Sequence, residues 1–498
     1  MILYRTPNLG AVMNNILINR ENYLEELNRL GKKSAPQLIA LYGRRRVGKT
    51  CIVRHCFQKP NIRYMEVTGL KDGRMRQQLA LFAQALGTVF FGGAPIAVPK
   101  DWFSAFELLT AQLVKSNPSE LTVLFLDELP WLTTKRSKLL SALDHFWNTR
   151  WSRLNNFLVI LCGSAASWML DKVINAKGGL HNRLTKIINL KPFNLRETKQ
   201  FLQAKKMRVN DKHILDLYMI MGGIPYYLEQ LKPNKSVAEN INELCFSQDG
   251  LLRTEFPRLF HSLFSLSETN MRIVKIIAAH RYGISRQQII HKTKMTSGSN
   301  LNNRLYELTA AGFIQGYTPY GYSKKEMYYR VLDEYTLFYL RWIEPHLNSG
   351  HPFSENHWQI EMKTPAWQSW AGYTYEGICM KHGEQILKAL KLDRIGCRMS
   401  SWRNVAAAKS TSSGAQIDLL FDRNDDAITL CEIKYSEKPY VLDKATAKSL
   451  LQKRELFIEI TKTKKQIFTA LITTSGLKPG LWNDEVIDSI VDLGALFT

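Results

Sequence analysis

The stretch Gly43-Arg44-Arg45-Arg46-Val47-Gly48-Lys49-Thr50 leaves this chain few ways to fold. It follows an apolar run, Leu38 to Tyr42, that reads as a buried strand, and it leads into a helical pattern opening near Cys51. Strand, glycine-bounded loop and helix, in that order, make a cradle for a phosphate chain. The glycines let backbone N–H groups from Gly43 to Cys51 turn toward the anion, and the helix start adds its partial positive charge. Lys49 is spaced to reach the β- and γ-phosphates and Thr50 to hold Mg²⁺. ATP with Mg²⁺ is the expected cofactor pair, and an α/β core is the expected frame.

A second apolar run, "LTVLFLDELPWL", ends in Asp127-Glu128. Asp127 suits a Mg²⁺ contact made through water, and Glu128 suits a base that polarises the attacking water. The same letters also read as a buried strand followed by an acidic helix start. A third run, "NFLVILCGSA", ends in Ser164, whose hydroxyl at a strand end can sense the γ-phosphate or orient water.

The segments "LYGRRRVGKT", "LFLDELPWL", "LVILCGSAASWM", "LHNRLTKIINLKPFNLRE" and "MGGIPYYL" occur in the order seen in archaeal-type ATPases, a STAND group of P-loop ATPases distantly related to AAA+ proteins. The chain resembles them over roughly residues 15–235. Upstream, "ILINREN" looks like the family's nucleotide-side segment, with Asn19 where a glycine is usual. The resemblance implies a helical lid in which Gly223-Ile224-Pro225 places Pro225 near the adenine. It also implies that Arg183 could act as a finger on the γ-phosphate, in cis or in trans, although a solvated surface arginine fits its position too. Relatives of this kind often oligomerise, so a homo-oligomer is expected.

Past the lid, three helical patterns span roughly Asn270–His280, Ser285–Thr293 and Ser299–Ala311. The second opens with a Ser-x-x-Gln capping box at Ser285 and Gln288. Two strand-like runs around a Gly/Ser/Lys turn follow. Helix–helix–helix–hairpin is a winged helix-turn-helix pattern, and the family commonly carries one here. From Glu268 to Arg330 there are ten Lys/Arg against three Asp/Glu. Ser299, Asn300, Asn302, Asn303 and Arg304 at the start of the third helix, and Lys324 and Lys325 at the expected wing tip, can meet phosphates and base edges. The module could instead serve as a protein–protein lid.

The last region contains "GAQIDLLFDRNDDAITLCEIKYS". It reads as a hairpin of strands Ala415–Phe421 and Ala427–Tyr435 about a turn at Asn424–Asp425. Folding it there brings Asp418 within about one residue of Cys431–Glu432, and strand alternation puts Glu432 and Lys434 on one face. A helix bearing Glu376 precedes it, and a helix and a buried strand follow. This order resembles the PD-(D/E)xK nuclease fold, without the proline of the named pattern. The resemblance implies Asp418 and Glu432 as metal ligands, Lys434 as the catalytic amine, Glu376 as the acidic helix residue and Gln452 as a supporting polar group. A plain Glu432–Lys434 ion pair is the competing reading.

Charge supports a polyanionic partner. The 498 residues carry a formal net charge of +23, which points to nucleic acid or an anionic membrane face. With the resemblances above, the expected partner is nucleic acid, DNA more than RNA, and not a membrane. No stretch reaches the roughly 18 apolar residues of a membrane span, and the first residues lack the apolar core of a secretion signal. The seven cysteines make no CxxC pair, so a reducing cytoplasm is expected. The expected architecture is α/β. It has a P-loop NTPase core at 1–195, a helical lid at 196–265, a winged helix-turn-helix with its bridge at 266–345, and a restriction-endonuclease-like α/β domain at 346–498. In function it would couple ATP binding and hydrolysis to nucleic-acid binding and metal-dependent DNA cleavage. The alternative is an ATP-dependent switch that binds DNA or a protein through a silent nuclease-like domain.

Overall fold

The structure is a computed structural model that describes residues 20–176, 179–295, 299–323, 326–350, 354, 356–404 and 415–498. The chain forms two compact units, Met1–Pro192 and Phe193–Thr498.

In the first unit, β1 (Gln37–Tyr42), β2 (Arg63–Thr68), β3 (Thr122–Asp127), β4 (Phe157–Gly163) and β5 (Lys186–Asn189) form one sheet in the order β2-β3-β4-β1-β5. Every pairing is parallel. A parallel sheet needs helical crossovers that cover its faces, which is why β3 and β4 are buried along their whole length rather than alternating. Trp102, Phe106, Phe146 and Trp151 fill one face, and Trp151 satisfies its indole N–H on Thr110 Oγ1 at 2.8 Å. The order β3-β4-β1 has a direct functional consequence. The ends of β1 and β3 flank the end of β4, so the loop after β4 lies between the loops after the other two.

In the second unit the helix Leu195–Ala204 starts with a capping box of Asn194 and Glu197. The helix Asp211–Met221 ends at Gly222 in the left-handed region. Gly223 follows at φ 65°, where a Cβ would lie 2.2 Å from the Phe193 carbonyl oxygen, so only glycine fits. Pro225 then opens the short helix Pro225–Glu229.

The helices Ser267–Ala278, Arg286–Thr293 and Ser299–Ala310 follow. Ser285 and Gln288 form the expected capping box. The hairpin β7 (Ile314–Tyr317) and β8 (Tyr328–Val331) takes a third strand, β6 (Ile284–Ser285), to give the order β6-β8-β7. The aromatic stretch beyond it is core: Trp342, Trp358, Trp367 and Trp370 each lie edge-on or tilted within 6.3 Å of at least two of the others.

The second large sheet is β9 (Cys397–Asn404), β10 (Ala415–Arg423), β11 (Ala427–Lys434), β12 (Gln466–Thr473) and β13 (Ser489–Val491), in the order β13-β12-β11-β10-β9. β11 is its centre, antiparallel to β10 and parallel to β12. It is buried from Ala427 to Ile433.

The helix bearing Glu376, Pro365–Lys381, is followed at once by a second helix, Gly383–Ala389. His382 sits at the break. Its Nδ1 lies 2.8 Å from the Ile378 carbonyl, and its Nε2 accepts the Leu195 N–H at 3.2 Å. Burial pushes its pKa down to about 4. A depressed histidine pKa gives stability that is complete above the unfolded value near 6.5 and is lost as pH falls toward 4. Wild type should therefore lose about 3 kcal/mol relative to His382→Gln across that window. Thermal melts of both proteins at stepped pH check this, and parallel curves would contradict it.

Candidate functional site

The first site lies at the carboxyl ends of β1, β3 and β4. Gly43, at φ 152°, approaches the Leu190 carbonyl so closely that a Cβ would sit 2.3 Å from that oxygen. Gly48 is left-handed at φ 94° and starts the helix Lys49–Phe57. Between them Arg44 is buried, Arg45 half-buried and Arg46 half-buried, and Val47 packs inward. Lys49 is 5% exposed. Its Nζ donates to the carbonyls of Gly43 and Arg44, each at 3.0 Å, and to Ser164 Oγ at 2.9 Å. Thr50 Oγ1 donates to Asp127 Oδ2 at 2.7 Å.

Glu128 completes the network. Its Oε1 accepts from Ser164 Oγ at 2.7 Å and its Oε2 from Ser164 N at 3.3 Å. It holds φ 47°, an uncommon angle for a non-glycine residue. That backbone turn is what aims its carboxylate back at the end of β4. The structure thus joins Lys49, Thr50, Asp127, Glu128 and Ser164, residues spread over more than a hundred positions of sequence. Thr50 and Asp127 present hard oxygen donors side by side, a set that suits Mg²⁺. Sequence reasoning missed Arg20. It is 5% exposed, and its Nη2 donates to the Lys191 carbonyl at 2.7 Å and to that of Val47 at 3.5 Å, bracing the loop. The signal was the arginine of "INREN". Asn19 lies outside the described residues. Cys51 is half-buried in the first helical turn, and Arg183 is exposed at the end of the turn Gly179–Arg183.

The second site is on the central strand of the other sheet. Leu419 pairs with Cys431, so Asp418 stands one step on, opposite Glu432. The β9–β10 register shifts between Ile417 and Leu420, so a bulge falls at Asp418. Bulges bend a strand and re-aim a side chain. Glu432 is 7% exposed. Lys434 Nζ reaches Glu432 Oε1 at 2.7 Å, and Lys453 Nζ reaches both its oxygens, at 3.1 and 2.9 Å. Gln416 Nε2 donates to Asp418 Oδ1 at 3.1 Å. Glu376, on the helix Pro365–Lys381, is bound by Arg281 at 3.1 Å.

The carboxylates crowd one another. Burial, then the Glu432 charge, pushes Asp418 up to about 6. Burial, then Asp418, pushes Glu376 up to about 8. Burial also acts to raise Glu432, but Lys434 and Lys453 hold it below the usual range. Facing carboxylates that resist ionising together fit a divalent cation, which would relieve the repulsion. Among the described residues no three His, Cys, Asp or Glu side chains already form a metal-holding group.

Two sequence expectations need correction. Gln452 points to solvent, and Lys453 takes the place foreseen for it. Lys453 lies on the inward stripe of the helix Lys444–Thr461, between buried Leu450 and Phe457, so helical spacing could have found it. Arg304, foreseen as a nucleic-acid contact, is 8% exposed and paired with Glu307 at 2.8 Å, because its position in the third helix faces the core. Asn300, Asn302 and Asn303 are exposed on the same helix. Lys324, Lys325 and the side chain of Ser299 lie outside the described residues.

Residues 17–231 match the family described as an ATPase domain predominantly from Archaea. An uncharacterised protein of Methanocaldococcus jannaschii is 24% identical over 429 residues, covering 85% of this chain and 88% of that one. Among solved structures, the Walker-type ATPase of Pyrococcus abyssi matches at TM-score 0.46 and 18% identity, over 65% of this chain and 96% of that one. The Aeropyrum pernix ORC2 protein matches at TM-score 0.43 and 15% identity, over 74% and 97%. No helix among the described residues is long and apolar enough to cross a membrane. Over residues 17–231, then, the chain is similar to an ATPase domain predominantly from Archaea, and a parallel α/β sheet positions its phosphate-loop residues.

Proposed function

We propose that this chain hydrolyses Mg²⁺-ATP and couples nucleotide state to nucleic-acid binding and metal-dependent cleavage of DNA. One observation carries the ATPase reading: Lys49, Ser164 and Glu128 form a continuous hydrogen-bonded chain beside the Thr50–Asp127 pair. In this reading Lys49 releases the loop carbonyls for the β- and γ-phosphates. Backbone N–H groups from Gly43 to Cys51 hold the α- and β-phosphates. Thr50 and Asp127 would hold Mg²⁺, whose chemistry is to neutralise charge on the phosphates. Ser164 orients Glu128, and Glu128 polarises water. Arg183, exposed on its turn, would act as a finger on the γ-phosphate, in cis or in trans.

Residues 266–345 act as the winged helix, with Asn300 and Asn303 facing nucleic acid. Residues 346–498 supply the nuclease. There Asp418 and Glu432 would hold a divalent cation, whose chemistry is to lower the pKa of a bound water and stabilise charge on the phosphate. Lys434 would position that water, and Lys453 would fix the Glu432 carboxylate. The second reading, a switch with a silent C-terminal domain, is favoured by one observation: both Glu432 oxygens are already held by lysines.

Phosphate release with Mg²⁺ and with EDTA tests the ATPase part. Turnover should require Mg²⁺ and vanish in Lys49→Ala. Turnover that persists in Lys49→Ala would contradict it.

A further inference from the structure

The wing is docked rather than free. The Tyr320 N–H donates to the Ser401 carbonyl of β9 at 2.7 Å. The Tyr322 hydroxyl reaches the Arg403 carbonyl at 3.2 Å, and Arg403 Nη1 donates to the Tyr282 carbonyl at 2.9 Å. The Arg403 guanidinium also lies 4.6 Å from the centre of the Tyr328 ring. The small sheet and the helix Pro365–Lys381, with Ser401 of β9, line a narrow cleft that includes Arg281, Tyr282, Tyr317, Arg330, Glu376 and Gln416. Two of these lining residues belong to the second site: Glu376, and Gln416, which donates to Asp418.

Charge and shape restrict what can enter. Glu334, at the back of the cleft, is paired with Lys381, and Glu376 with Arg281. Arg330 and Arg403 form no ion pair among the described residues; with Arg403 bound to the Tyr282 carbonyl and Lys381 to Glu334, cations outnumber carboxylates in and beside the cleft. Its open volume is about 40 Å³, close to that of a single water, so no base fits inside. Stacking is possible only at the mouth. There Tyr282 is 52% exposed, with the Arg281 guanidinium 5.7 Å from its ring centre.

We propose that this mouth grips a single-stranded segment of DNA. An unpaired base stacks on Tyr282, Arg281 exchanges Glu376 for a backbone phosphate, and Arg403 holds the next. The strand is thereby led toward Glu376, Asp418 and Glu432. In a duplex the bases are already stacked and paired, so Tyr282 gains nothing from them. The inference rests on the nuclease reading for its purpose, though not for its test.

The test is fluorescence anisotropy of the full chain with labelled oligo(dT) and with a blunt duplex, in EDTA and at about 0.2 M salt, where non-specific phosphate binding is weak. Tyr282→Ala should weaken oligo(dT) binding about 5- to 100-fold and leave duplex binding unchanged, while Tyr282→Phe should bind like wild type. Wild-type oligo(dT) affinity in Tyr282→Ala, or an equal loss for the duplex, would overturn the proposal. Binding without metal needs no cleavage. A Tyr282-dependent grip on oligo(dT) in a protein that never cuts DNA would keep the cleft and reject the nuclease. A protein that cuts DNA while Tyr282→Ala binds oligo(dT) normally would do the reverse.

Discussion

A Glu128→Gln protein is expected to bind ATP within a few-fold of wild type and to hydrolyse it about 100 to 1,000 times more slowly. The substitution keeps the shape and the hydrogen bond with Ser164 Oγ, 2.7 Å in the structure, while removing the negative charge. That charge is needed only when water attacks. The phosphate cradle, built from Gly43 to Thr50, is untouched. Lys49→Ala acts differently. It removes the cation that the loop carbonyls and Ser164 hold in place, so binding and turnover fall together. Nucleotide binding by calorimetry beside phosphate release separates the two. Equal loss of binding in both variants would mean that Glu128 has a structural role at its left-handed backbone position.

The second large effect concerns the central strand β11. Lys434→Ala should reduce metal-dependent DNA cleavage more than about 100-fold while the fold survives. Lys453 is what lets the fold survive. Removing one partner of a buried ion pair commonly costs 3–5 kcal/mol, roughly, because a charge is left uncompensated. Here Lys453 still reaches both oxygens of Glu432, at 3.1 and 2.9 Å, so that cost is largely avoided. A purely structural Lys434 would leave cleavage untouched. Circular-dichroism melts run beside the cleavage assay distinguish a lost reaction from a lost fold.

How far the sequence revealed these sites depended on the range of the forces that build them. The phosphate loop was legible because its chemistry is local: glycine spacing, a strand before and a helix after. Asp127 and Ser164 were legible as strand ends, but only the order β3-β4-β1 explains why they meet. The hairpin register was nearly legible from its turn, and Asp418 does stand opposite Glu432. The bulge at that point was not, because it arises from pairing with β9, a strand distant in sequence. Lys453 was passed over for its neighbour Gln452, although the stripe of Leu450 and Phe457 marked its face. The docking of the β7–β8 hairpin loop on β9 left no sequence signal, since it depends on how two distant surfaces meet. Arg304 read as a surface cation, although local helix phase turns it inward and pairs it with Glu307 one turn on.

The most direct test of the whole account is DNA cleavage with Mg²⁺ or Mn²⁺, in the presence and absence of ATP, comparing wild type, Lys49→Ala and Glu432→Ala/Lys434→Ala. The account predicts cleavage by wild type, none by the double variant, and an altered ATP response in Lys49→Ala. Equal inertness of wild type and double variant, with ATP turnover intact, would contradict it and leave Glu432 and Lys434 as a strand-end ion pair in an ATP-driven switch.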